Sequence, residues 1–509
     1  MFQTPIDKVV TIMNQLGFPL ISAMLVVPLL GVLALLFIPA AQEKTIKTVT
    51  LITTLIVLAM SLPLYFAFIP GAGFQFEENI PWIPALGINY HVGIDGISLF
   101  IVLLTTLLSF IAVLSSWTAI TKQVKAYMVM MLLMETAMIG VFVSLDLFLF
   151  YAFWEASLIP MALLIGIWGG DRRVYAAVKF MLYTFVGSTL MLVATIVVYL
   201  HAGTSDLPTL LTSTALPAGT QIWLFFAFAL AFAIKVPLFP LHTWLPAAHV
   251  QAPTAGSVLL AGVLLKMGTY GYLRFANPLF PEGMAYWAPL LSVLAIVGIL
   301  YAALVALVQE DVKSLVAYSS VAHMGFIMLG IFSGGFQGTS GAVLQMVNHG
   351  LSTGALFMLI GVLYERRHTR LMKDYGGIFA KVPVFGAFFL IAVFSSVGLP
   401  GLNGFVGEFT ILLGTFVHNR LFAAFATFGI VLAAWYLLTA VRRVMFGPFN
   451  PANENLTDMN TREVVAALVL TVFFFVLGVF PNLVFDKVNP DTEALVNATA
   501  PQTALMVNQ

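Results

Sequence analysis

Five ionisable side chains stand inside long apolar runs of this chain: Glu135 in MLLMETAMIG, Glu155 in LFLFYAFWEASLIP, Lys235 in LAFAIKVPLFP, Lys266 in AGVLLKMGTYG and Glu408 in GLNGFVGEF. His323 and His349 lie at similar depth. A lone charge at the centre of a bilayer costs from about 2.5 kcal/mol to more than ~10 kcal/mol. A bundle that only had to pack could avoid every one of them. No Ser–His–Asp arrangement, paired carboxylate site or phosphate loop accompanies them. The chemistry on offer is proton relay through side chains and water, with no covalent step.

Each residue has a blander reading. Glu155 sits among aromatics, where desolvation favours its neutral form and a lysine partner its charged form. Paired with Lys235 it could switch, loosening when a proton arrives so that the lysine passes its own proton on; the plain alternative is a static ion pair that sets helix packing. Lys266 lies mid-span among Gly262, Gly268, Thr269 and Gly271, too deep to snorkel, and small neighbours leave room for water. Glu408 follows a glycine- and proline-rich break by eight residues, where freed backbone could help hydrate it. His323 and His349 could bridge such sites, since histidine titrates near neutrality, or could be hydrogen-bonded core residues. Glu135 could link neighbouring proton routes sideways or bond a helix backbone. His242 and His249, seven apart, share a face if one helix carries both, but lack carboxylate or cysteine company for a metal. Asp146 and Asp311 stand at span starts and read as helix caps.

The elements that position these groups follow from composition. Of 509 residues, 61% are hydrophobic and 9% charged, so the chain belongs in lipid. Lys+Arg and Asp+Glu are equal at 22, which gives no basic face for nucleic acid. Cysteine is absent, excluding disulfides, thiolate zinc and cysteine-ligated iron–sulfur clusters on this chain. The opening MFQTPIDKVVTIMNQLG is weakly amphipathic, with no clear cleavage site after it.

A hydrocarbon core about 30 Å thick takes roughly 20 apolar residues per helix. Counting such runs predicts an all-α integral membrane protein with about fourteen spans. The seventh, near 220–249, and the twelfth, near 382–416, are too long for one straight crossing and hold Pro237, Pro240 and Pro246, and Gly398, Pro400, Gly401 and Gly404. Broken helices at depth line cavities or transport pathways. Spans 4–8 and 9–13 form two five-helix sets, inverted because five is odd, with Lys235 and Glu408 beside matching breaks and Glu155 roughly opposite His323. The chain divides into three helices (1–125), a first repeat (126–275), a second (287–445) and a final helix with tail (446–509). Sixteen lysines and arginines fall in loops after odd-numbered spans, Lys313 among them, against Lys8, Arg274, Arg420 and Lys487 on the other side. That asymmetry predicts both termini away from the cytoplasm. The GG pairs Gly169–Gly170, Gly334–Gly335 and Gly376–Gly377 read as turns.

FYAFWEASLIPM, KVPLFPLHTWLPAAHVQAPTAGSVLLAGVLLKMGTYG, SLVAYSSVAHMGF and GLPGLNGFVGEF are long and specific. Over nearly the whole chain they resemble the antiporter-like M-subunit family of proton-pumping NADH:quinone oxidoreductase, respiratory complex I. The resemblance implies fourteen helices, inverted repeats broken at helices 7 and 12, and one proton path. It implies a Glu155–Lys235 pair, Lys266 as central relay, Glu408 as terminal donor, and His323 and His349 along the hydrophilic axis. It implies no cofactor on this chain, with FMN, iron–sulfur clusters and quinone on partner subunits. Neighbouring L- and N-type subunits and the lipid bilayer are the implied partners, and a bacterial inner membrane the location. The L and N types and cation/proton antiporter subunits carry lysine where this chain has Glu408, which weighs against the alternative, a subunit of a multi-subunit antiporter. A scaffold that had stopped pumping would tend to lose such costly charges.

Overall fold

The computed structural model describes residues 17–213 and 216–499. In chain order come α1 (Leu20–Phe37), α2 (Glu43–Ala67), a hairpin of β1 (Gln75–Ile83) and β2 (Ile88–Ile94), and α3 (Gly96–Ala119). Then follow α4 (Val124–Val143), α5 (Leu147–Trp168), α6 (Arg173–Ala202), α7a (Ala218–Lys235) and α7b (Trp244–Gln251). Residues 254–279 form α8, helical throughout but wound as π turns at Leu260–Leu264 and Tyr272–Ala276. The second half holds α9 (Pro281–Leu307), α10 (Val312–Ile331), α11 (Phe336–Arg367), α12a (Pro383–Val397), α12b (Asn403–His418) and α13 (Arg420–Met445). It closes with α14 (Thr461–Val479) and α15 (Asn482–Thr499). Among the described residues twelve helices are long and apolar enough to cross a membrane: α1–α6, α7a, α9–α11, α13 and α14.

Apolar side chains point outward as freely as inward, as lipid solvent allows. Phe37 is 81% exposed, Phe66 80% and Leu200 73%. The centre is α11, in which every residue from Gly338 to Leu363 is buried. It packs against α10, α12b, α3 and α15.

Both breaks come where the side chains demand them. Pro237 ends α7a, and the Trp244 indole takes the freed Ile234 carbonyl at 2.8 Å. Gly398 ends α12a at φ +81°, a left-handed cap that suits glycine. Asn403, at the start of α12b, accepts from the Ser395 hydroxyl at 2.6 Å across the gap.

One construction occurs twice. Asp146 caps α5 through Phe148 and Leu149 N–H, and Asp311 caps α10 through Lys313 and Ser314 N–H. Each cap then bridges the loop after the next helix, Asp146 with Asp206 and Asp311 with Leu371. These caps are as expected, and Gly334, Gly376 and Gly377 have the positive φ of turns.

Several expectations change. The all-α expectation fails after α2, where QFEENIPWI, too short and polar to span, pairs antiparallel with INYHVGI as a β-hairpin. His242 falls in the turn before α7b, so it does not share a helix with His249. Lys235 and Glu408 flank their breaks from opposite sides: Lys235 closes α7a, whereas Glu408 lies inside α12b. Lys313 and Arg274 are not loop residues but buried, on α10 and α8. The start of the chain, residues 1–16 with Lys8, lies outside the described residues.

Candidate proton relay

Lys266 occupies the segment of α8 between its two π turns. A π turn spaces backbone bonds at i→i+5 and leaves carbonyls open to side chains. Lys266 Nζ uses one of them, donating to the Ala261 carbonyl at 2.5 Å. The same Nζ meets His349 Nδ1 on α11 at 2.7 Å. An ammonium only donates, so opposite a charged Lys266 the His349 ring is neutral with its proton on Nε2.

The His349 ring lies 5.8 Å, centroid to centroid, from that of His323 on α10. His323 Nδ1 meets Glu408 Oε1 at 2.7 Å. Neither histidine's Nε2 has a protein partner. Four residues from four helices thus form one file: Lys266, His349, His323, Glu408. All are buried, with Lys266 wholly so and Glu408 only 3% exposed.

Two neighbours of this file carried no sequence expectation. Gln345 Nε2 donates to Glu408 Oε1 at 3.1 Å, and Asn348 Nδ2 donates to the Asn403 carbonyl at 2.7 Å. Gln345 lies four residues before His349 on the same face of α11, and Asn348, three residues after Gln345, is the residue before His349. The run QMVNH carried that signal for Gln345, since an amide one turn from a histidine shares its side. His249 on α7b stacks on Phe357 at 4.5 Å with both ring nitrogens unpartnered, within electrostatic reach of Lys266 and Lys313. Lys313 Nζ donates to the Ala252 carbonyl at 2.6 Å.

Lys235 sits apart from the file. Its Nζ is buried with no hydrogen bond, 5.2 Å from the Trp154 ring centre and 5.6 Å from that of Phe180. Ring faces and the negative end of α7a are what favour its cation. Glu155 on α5 is half-buried with Oε1 unpartnered, and Tyr151 lies within reach of it. Glu155 and Lys235 feel each other's charge without touching as an ion pair. Glu135 is fully buried on α4 with neither oxygen bonded. Among the described residues no group of three His, Cys, Asp or Glu could hold a metal ion.

Residues 144–433 match the family model described as NADH:quinone oxidoreductase/Mrp antiporter, TM. The chain is similar to NADH-quinone oxidoreductase subunit M of Rhodobacter capsulatus, 48% identical over 90% of this chain and 91% of that one. It is 44% identical to NADH-ubiquinone oxidoreductase chain 4 of Marchantia polymorpha, over 94% and 97%. Among solved structures it is similar to a chain of respiratory complex I from Thermus thermophilus with bound NADH. That match has a TM-score of 0.87 and 34% identity, over 94% of this chain and all of that one.

Proposed function

The chain belongs to the M-subunit family of NADH:quinone oxidoreductase, the antiporter-like, proton-translocating membrane subunits of respiratory complex I, and from that premise we propose how its buried charges carry protons. A proton from the cytoplasmic side reaches Lys235 or Lys266 through water. When the Glu155–Lys235 pair changes state, Lys266 gives a proton to His349, which passes it by way of His323 to Glu408. Each transfer breaks one N–H bond and makes one N–H or O–H bond, and Lys266 is then reprotonated from the cytoplasmic side. Glu135 serves as a lateral link. The observation that carries this reading is the buried file itself, with contacts of 2.7 Å at each end and rings 5.8 Å apart between them.

Moving one charge against 100 mV requires about 2.3 kcal/mol, and a chain with no cysteine holds no cysteine-ligated iron–sulfur cluster to supply it. The energy comes from quinone reduction in partner subunits, which hold the FMN, iron–sulfur clusters and quinone, with L- and N-type subunits alongside. The twelve spans, together with α8 and the broken α12, amount to fourteen crossings. They divide into three helices, two inverted five-helix repeats and a final helix with its tail, at the boundaries given above. The doubled Asp caps and their bridges support that repeat. The bacterial inner membrane fits the bacterial relatives, and the basic loops favour both termini on the non-cytoplasmic side.

The deciding experiment replaces Lys235 with Ala, verifies assembly, and compares NADH-driven proton uptake with electron transfer in sealed vesicles. Loss of coupled pumping and turnover in a normally assembled complex is the expected result. Unchanged turnover and stoichiometry would remove Lys235 from the route.

A further inference from the structure

Beyond the relay, the hairpin face holds a second buried cluster of charge. Eight residues beyond Lys266 on α8, about 12 Å along the axis, Arg274 is buried and ion-paired with Asp95. Asp95 is also the cap of α3, accepting from Ile97 and Ser98 N–H. Arg274 Nε donates to the Tyr270 hydroxyl at 3.1 Å.

Helix α15 closes on the same point from outside. Asp491 Oδ2 accepts from Gly96 N–H at 2.6 Å. A Cβ at Gly96 would come within 2.1 Å of the Lys487 carbonyl, so only glycine admits α15 this close. Asp95, paired with Arg274, and Asp491, bonded to the adjoining Gly96, therefore both feel the charge of one guanidinium. One turn further along both helices lies a cavity of about 230 Å³ between α8, α9, α10, α11 and α15. Asn277, Thr339 and Thr499 supply its polar lining. Asn277 is 2% exposed and its Oδ1 has no partner. That amide oxygen is itself covered, and it stands beside a space large enough for several waters, so a turn of the Asn277 side chain would bring it to water.

We propose that the Asp95–Arg274–Asp491 cluster and the Asn277 cavity form the proton-release site of this chain, with Asp491 as the group that binds the departing proton. This rests on the relay proposed above. A proton arriving through water bonds to an Asp491 oxygen while Arg274 and Asp95 keep their charges. Release breaks that O–H bond, restores the carboxylate and leaves the proton on water outside. Asp491 is suited to the task, for burial and then the Asp95 charge push its carboxyl up to about 6, against the Gly96 N–H and Arg274. The groups facing it are Asp95 on α3 and Arg274 with Tyr270 on α8. On α15 itself the Lys487 ammonium turns away to the Tyr65 and Phe68 rings, and α11 offers the Ser340 hydroxyl to neighbouring Thr492. From α9 only Met284, Ala285 and Ala288 line the cavity.

The test uses the assembled complex in inverted vesicles with the lumen clamped between about pH 5 and 8. Wild-type turnover falls as lumen pH drops below about 6, where Asp491 stays protonated. Asp491→Asn keeps an oxygen for Gly96; it loses coupled turnover several-fold and with it the dependence on lumen pH, and Asp491→Glu restores both. Asn277→Leu, which dries the cavity, also lowers turnover several-fold. Wild-type turnover and lumen-pH profile in Asp491→Asn, alongside a dead Lys266→Ala control, would overturn the release site and leave the relay standing. An active Lys266→Ala would instead overturn the relay. Should Asp491→Asn fail to assemble, Asn277→Leu decides, and wild-type turnover there overturns the proposal.

Discussion

Glu408 accepts from His323 and Gln345 on one oxygen, and Gln345 in turn accepts from Asn348, whose amide also reaches across to Asn403 at the break in α12. This amide network holds the carboxylate against α11. Removing a donor from a buried carboxylate costs about 1.5–3 kcal/mol. Gln345→Leu is expected to assemble normally and lose several-fold in coupled turnover; wild-type turnover in vesicles would reduce Gln345 to packing. The charged members of the file were legible in the sequence because a charge in an apolar run advertises its own cost. The amides were not, since Gln and Asn at depth cost far less and their role depends on which helix lies opposite. The same holds for Arg274 and Lys313, which sit near span ends and read as loop residues until the helices are packed.

Helices α7a and α8 meet through glycine. A Cβ on Gly268 would lie 2.7 Å from the Phe232 carbonyl and 2.6 Å from Val236 Cγ2, both on or next to the last turn of α7a. Backbone cannot step aside there, and an overpacked core costs about 1–3 kcal/mol. Gly268→Val is expected to push α8 away from the turn that carries Lys235 and to reduce assembled complex, measured on native gels. Normal assembly with normal pumping would mean that the interface tolerates more slack than its geometry allows. Both helix breaks could be read from Pro237 and from the glycines at 398–404, because those residues oppose helix wherever they stand. The π turns around Lys266 left no such mark. LAGVL and YLRFA are ordinary helical sequences, and only the packing of α8 selects the wider winding.

On the hairpin face the molecule is stapled by charge. His91 on β2 joins Asp206 at 2.6 Å and Glu77 at 3.0 Å, tying the hairpin to the loop after α6. Glu78 reaches α1 through Ile21 N–H and the Ser22 hydroxyl. Burial alone would lower the His91 pKa, but the hydrogen bonds and charges of Asp206 and Glu77 win and push it up to about 9. Burial pushes Asp206 up, but His91 and the hydroxyl and N–H of Thr209 together hold it below its ordinary value. A histidine raised in this way stabilises fully below its unfolded value near 6.5, and the contribution fades as pH climbs through about 9. The gap in melting temperature between wild type and His91→Gln should therefore be wide at pH 6 and closed near pH 10. A gap that persists at high pH would make the staple one of packing.

The course of α11 has a further consequence. Transporters built from inverted repeats commonly switch access by rocking one half against the other about a hinge. Here α11, a helix of the second repeat that also packs on α8 of the first, is buried along its whole middle, Gly338 to Leu363, and it carries His349 of the file and Gln345 beside it. Rocking would uncover it. On the relay proposed above, access would alternate by wetting, with short dry stretches filling and emptying while the scaffold stays in place.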